Sequence, residues 1–182
     1  ILLDMKVSTQ AVDVHTTSLA DIPEFDRYKT VVVLISDLDV LGKRLIDLMN
    51  WVQDGGSVLF AMTPQKTTYF DVISPELGVL SSSWECKTAE SIVPTEEFML
   101  GGGQRYELSD PFESSLSVSL REEATVYAST GDEGVPLVWG TKSGAGRVVV
   151  DNIGVYDKIM RGIYAASFSL LCDAVAYPVI NS

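Results

Sequence analysis

Histidine is almost missing from this chain, with one in 182 residues, and cysteine is scarce, with two. A single imidazole, His15, leaves little material for relays that set a histidine beside a nucleophile. Cys86 and Cys172 permit one disulfide at most, and their wide separation lacks the spacing of a zinc site. Two packed thiols are the plain expectation. Positive charge is in deficit: 13 Lys and Arg face 25 Asp and Glu, a net charge of −12. That balance argues against nucleic acid or an anionic membrane surface as partner, since both reward basic residues. Long apolar runs are also lacking. Val31–Ile35 and Val148–Val150 are far too short to span a bilayer. The acidic residues are scattered rather than gathered into a tail, and read as a solubility device.

What is present is a foldable mixture, 46% apolar and 21% charged. It suits one domain over residues 1–182 and excludes disorder. The chain opens on Ile1-Leu2-Leu3-Asp4-Met5-Lys6 and reads as an excised piece of a longer protein, with any signal peptide or anchor expected outside it.

Ile1–Lys6 reads as the tail of a helix begun upstream. Gln10–His15, with Ala11, Val12 and Val14, alternates as a short strand, and Ala20–Lys29 with Pro23 reads as a surface connection. Thr30–Ser36 is apolar and β-branched almost throughout, as expected of a parallel strand covered on both faces. Asp37-Leu38-Asp39 can start and cap the helix that follows. Leu41, Leu45, Leu48, Met49 and Val52 form its buried stripe, and Gly55-Gly56 stops it. Ser57–Met62 is the next strand, so this block predicts a parallel crossover.

The middle is less regular. Gln65–Leu80 holds a short helix ending at Gly78, Trp84–Pro94 is strand-like, and Gly101–Gly103 is a loop. Ser115–Leu120 and Thr125–Ser129 alternate as two short strands. The whole region reads as an insertion or sheet extension. Pro136–Gly140 and Gly146–Asp151 are apolar strands joined by a glycine-bearing hairpin turn. A helix over Asp157–Ala176 follows, with Ile159, Ile163, Leu170, Leu171, Ala174 and Val175 on one side and Pro178 at its end.

The stretch Pro136-Leu137-Val138-Trp139 through Gly144-Ala145-Gly146-Arg147-Val148-Val149-Val150, then Ile153-Gly154, resembles the late hairpin of class I glutamine amidotransferase-like domains. Within that superfamily it is closest to the trehalose-utilisation-type branch. Thr30–Met62 is similar to the same fold's central sheet. With the closing Ala176-Tyr177-Pro178-Val179-Ile180-Asn181-Ser182, the chain resembles the amino-terminal domain of an uncharacterised bacterial family that continues into a polysaccharide-deacetylase-like domain. The resemblance implies an α/β, flavodoxin-like three-layer sandwich, with a mostly parallel central sheet and a late antiparallel hairpin. It also implies an extracytoplasmic or cell-envelope setting and a downstream domain of the same chain as partner.

The resemblance fails at the residues that do chemistry. Amidotransferases of this class place a Cys at the strand-to-helix elbow; here the slot reads Ala61-Met62-Thr63-Pro64. Their His and Glu follow the last core strand, where this chain has Asp151-Asn152-Ile153-Gly154-Val155. No catalytic residue carries over, and no metal or cofactor is expected. Asp37 and Asp39 are explained as helix-start residues. Glu96-Glu97 and Glu122-Glu123 read as solvated surface.

Ligands of α/β sheets bind outside the carboxyl ends of the strands. The expected crevice is therefore lined by Ser36, Asp37, Thr63, Asn152 and Tyr156, with carbohydrate as the ligand class. The function expected is a non-catalytic accessory, ligand-sensing or interaction domain of an envelope or polysaccharide-related protein. A hydrolase-type domain acting on carbohydrate, with Thr63 or Asp37 active, and a structural dimerisation domain stay open beside it.

Overall fold

A computed structural model describes residues 10–85, 87–95, 103–114, 116–131 and 133–153. The helices expected at Ile1–Lys6 and Asp157–Ala176 lie outside the described residues. So do Cys86, Cys172, Glu96, Glu97, Gly101, Gly102 and Tyr156.

The β-branched run after Lys29 forms β1 (Thr30–Val33). It sits at one end of a seven-stranded sheet, with β2 (Ser57–Phe60) as its one strand neighbour among the described residues. Its side chains reach both faces, as expected: Val31 and Val33 pack against one core and Val32 against the other, although only Val33 is fully buried and Leu34 beyond it is exposed. β-Branching favours a strand wherever it lies and does not distinguish centre from edge.

Beyond β1, Asp37 accepts a hydrogen bond from the Asp39 backbone N–H at 3.0 Å and caps a 3-10 turn, Leu38–Leu41. Gly42, at φ 50°, breaks the turn, and α1 (Lys43–Gln53) begins only after it. The helix thus starts later than the Asp37-Leu38-Asp39 pattern suggested. Leu45, Leu48, Met49 and Val52 form its buried stripe. β2 (Ser57–Phe60) follows and is wholly buried.

Next come α2 (Thr68–Ile73), β3 (Val79–Ser83), β4 (Lys87–Pro94) and β5 (Tyr106–Ser114). β6 (Ser117–Leu120), β7 (Thr125–Thr130), β8 (Pro136–Ser143) and β9 (Gly146–Asp151) complete the described chain. The large sheet has the order β1-β2-β9-β8-β7-β4-β5. β1, β2 and β9 are parallel neighbours, with Val33 beside Phe60 and Phe60 beside Val150. The remaining pairs are antiparallel, an alternation that returns β7 and β5 to the direction of β1. Most strands therefore share one direction within a mixed α/β sheet. β3 and β6 pair separately as a small antiparallel sheet.

Alternation along the central strands sends side chains to two cores. Val58, Phe60, Val148 and Val150 meet α1, α2 and Trp139 on one face. Leu59, Ala61, Val149, Val138 and Ala128 pack on the other. Each fully buried Leu, Val or Phe contributes about 1.5–3 kcal/mol. Trp139 is fully buried, and its indole N–H donates to the Leu77 carbonyl at 2.8 Å, tying β8 to the chain between α2 and β3.

The β8–β9 turn docks on the end of α1. Ala145 donates its backbone N–H to the Gln53 carbonyl at 2.8 Å, and Arg147 donates to the Gly56 carbonyl at 3.1 Å. At Gly146 a Cβ would lie 1.9 Å from the Val52 carbonyl oxygen and 2.2 Å from that of Gly56. Gly144, besides its φ of 60°, lies against the Gln53 backbone. The glycines expected as turn chemistry thus also permit a close approach of two backbones.

Residues 10–15 are not a strand. The chain turns at Asp13, whose carbonyl accepts from the Thr17 backbone N–H and whose carboxylate accepts from the His15 backbone N–H. Such side-chain-to-backbone bonding competes with a strand ladder, and here it prevails over the alternation of Ala11, Val12 and Val14.

Three outcomes are expected. Gly146→Ala destabilises the chain by about 3 kcal/mol in urea unfolding, whereas Gly134→Ala, with φ 65° and open space around it, costs about 1 kcal/mol. Asp39→Ala, which removes an acceptor from the Tyr69 backbone N–H at the start of α2, costs about 1 kcal/mol. The His15 backbone bond and the Thr16 hydroxyl hold the Asp13 carboxyl below its ordinary 3.8. This depressed acid stabilises the turn above that value, and the contribution disappears as pH falls through the lowered folded value. Carboxyl NMR titration reads the shift directly.

Candidate functional site

Parallel β1, β2 and β9 lie side by side, so the chain leaving their carboxyl ends converges on one rim. Ser36 follows β1, and its carbonyl accepts from the Gln65 backbone N–H at 2.9 Å. Thr63 follows β2 and donates its hydroxyl to the Asn152 carbonyl at 2.7 Å. Asn152 follows β9 and is buried; its backbone N–H donates to the Leu137 carbonyl and its amide to the Leu116 carbonyl. Hydrogen bonds thus join Thr63 to Asn152 and set Ser36 beside the loop that carries Thr63. Asp37 is exposed and engaged as the cap of the 3-10 turn.

The rim's chemistry is mostly structural bonding. Asp39 accepts from the Tyr69 backbone N–H at 2.9 Å, while Thr67 caps α2 through the Phe70 backbone N–H. Asp151, buried at 1% exposure, accepts from the Ile153 backbone N–H at 2.9 Å. Thr63 directs its proton at a backbone carbonyl, which is too weakly basic to activate a nucleophile. His15 is exposed, on the turn that follows Asp13. Among the described residues no three His, Cys, Asp or Glu side chains gather closely enough to hold a metal ion. No described helix is long and apolar enough to cross a membrane.

A second concavity lies at the opposite, amino ends of β1 and β2, where sequence reading placed nothing. It measures about 490 Å³ and lies between the 3-10 turn Phe25–Arg27 and α1. Phe25 and Trp51 are its aromatic walls, with ring centroids 6.1 Å apart at 43°. Gly56 backs Trp51 so closely that a Cβ there would sit 2.4 Å from the indole. Glu24, Asp26, Asp47 and Asp54 add carboxylates, and Asn50 an amide. Arg44 also lines the concavity, donating to Asp47 at 3.2 Å and to the carbonyls of Ile22 and Pro23, with its guanidinium 4.8 Å from the Phe25 ring centroid. One sequence signal was available: Phe25, Trp51 and these acids cluster just before the two strands. Nothing in periodicity, however, folds Ala20–Lys29 against α1.

Comparison with known proteins gives fold and family. No curated protein matches the chain. A cytoplasmic protein of Salmonella typhimurium LT2 superposes with a TM-score of 0.67 at 13% identity, covering 97% of this chain and 84% of that one. A second Salmonella typhimurium cytoplasmic protein gives 0.58 at 16% identity, covering 82% and 71%. An exo-β-1,4-mannosidase from Opitutaceae bacterium strain TAV5 gives 0.51 at 20% identity, over 85% of this chain. This chain spans 26% of the mannosidase's length. At such identities these likenesses concern the fold alone. The sequence profile of one bacterial family matches residues 1–121 and 104–182, which together take in the whole chain. The chain belongs to that family, described as "uncharacterised protein conserved in bacteria (DUF2194)".

Proposed function

We propose that this chain is a non-catalytic, ligand-sensing or interaction domain of a polysaccharide-related bacterial envelope protein, built on a class I glutamine amidotransferase-like, flavodoxin-like scaffold. One observation carries the reading. At the rim where α/β enzymes place their reactive groups, the Thr63 hydroxyl is held by the Asn152 carbonyl and the Asp37 and Asp39 carboxylates by backbone N–H groups. These bonds position loops, and among the described residues none of them sets a base beside the Thr63 hydroxyl. The elbow slot, with buried Ala61 and half-buried Met62, supports the same reading. Carbohydrate is the ligand class of this proposal. Sharing a fold with part of a mannosidase is compatible with it, and Ser36, Asp37, Thr63, Asn152 and Tyr156 are the groups to hold sugar hydroxyls. A deacetylase-like domain following in the same protein would supply any chemistry.

The test is an assay of the isolated chain on chromogenic glycosides and acetylated oligosaccharides, paired with calorimetry. The expected result is no turnover, together with oligosaccharide binding that Asp37→Ala and Tyr156→Ala weaken. Thr63→Val should lower stability by about 1 kcal/mol and leave the fold intact. Turnover that disappears in a folded Thr63→Val variant overturns the non-catalytic reading, and absence of heat with every oligosaccharide overturns the carbohydrate assignment.

A further inference from the structure

The concavity at the amino ends of β1 and β2 is separate from the rim and rests on different residues. We propose that it binds a small organic cation: a protonated amine on a compact skeleton, the chemistry shared by an amino sugar and a polyamine. Its size, about 490 Å³, falls within the range of small-molecule sites.

The walls favour a cation with an organic body. Trp51 is half-buried, and Gly56 presses on its indole. The ring is backed by main chain and packed against the core, which reduces the ordering that binding requires. Aromatic faces attract cations, and the site already contains an example in Arg44 over Phe25.

Charge decides the sign of the ligand. Arg44 is the one basic side chain among the lining residues, and it is engaged by Asp47, by Glu24 at 3.8 Å and by two backbone carbonyls. Among the described residues Asp26 and Asp54 form no side-chain hydrogen bond or ion pair, so none of those residues is a direct counter-ion to them. An anion would be repelled, and a neutral sugar would make no use of them. A bare metal ion is also a poor fit, because these carboxylates do not gather into a coordinating group. A ligand wide enough to touch the indole and the Asp26 and Asp54 carboxylates together, with an ammonium among them, uses the whole surface. The Asn50 amide can serve a neighbouring hydroxyl or a second amine.

The experiment is calorimetric titration of the full chain with glucosamine, spermidine and, as the neutral control, glucose. At least one of the amines is expected to bind with a dissociation constant of about 1 mM or tighter, weakening as sodium chloride rises, while glucose does not bind. The surface double variant Asp26→Asn/Asp54→Asn should weaken amine binding roughly tenfold without changing the melting temperature. Trp51→Phe should weaken it too, and the rim variant Asp37→Ala should leave it unchanged. Preference between the two amines distinguishes an amino sugar from a polyamine. Absence of binding by both amines, equal binding of glucose, or indifference to the Asp26→Asn/Asp54→Asn change overturns the proposal. None of these results bears on the rim, where the probes are neutral and acetylated oligosaccharides.

Discussion

The structure depends on one close approach of backbone to backbone. The β8–β9 turn closes against the last residues of α1, with Ala145 donating to Gln53 and Arg147 to Gly56. No side chain fits at Gly146. This junction fixes where β9 enters the sheet beside β2, and so aligns Phe60 with Val150. It also fixes the turn after α1, where Gly56 backs Trp51 closely. A single contact between two glycine-bearing segments therefore sets the register of the parallel strands and the position of an aromatic wall beyond them.

The two ends of the sheet are used differently. At the carboxyl end, short polar side chains bind backbone: Asp37, Asp39, Thr67 and Asp151 accept from N–H groups, and Thr63 and Asn152 donate to carbonyls. These bonds satisfy groups that buried or tightly turned loops would otherwise leave bare. At the amino end, carboxylates collect around Phe25 and Trp51, where one guanidinium is shared among several acceptors. The first end is organised by the needs of the main chain, and at the second Arg44 pairs with Asp47 and Glu24 while Asp26 and Asp54 have no partner among the described residues.

Much of this architecture was legible in the sequence. The apolar stripe of α1, the buried run of β2 and the β8–β9 hairpin follow from periodicity and from glycine placement, and each is found close to where it was expected. β3 and β5 were not foreseen. Leu80-Ser81-Ser82-Ser83 is exposed and lacks apolar alternation, so its pairing with β6 is a tertiary matter. The mistaken strand at residues 10–15 arose because Asp13 offers its carboxylate to a nearby N–H, a local bond that no count of apolar positions registers. At the rim, helix-start positions identified Asp37 as a cap, but the bond from Asp39 to α2 spans segments that only the fold brings together. The aromatic and acidic concavity was hidden for the same reason.

The pairing of β2 with β9 has a consequence for how the protein is made. Ser57–Phe60 acquires its second neighbour only from Arg147–Val150, far along the chain. As the polypeptide leaves the ribosome, an apolar strand with one open edge must wait for most of the remaining sequence to be synthesised. Non-local parallel pairing of this kind is slow and exposes a sticky intermediate. The acidity of the chain then acquires a kinetic role, keeping nascent copies apart during the interval in which that edge is bare.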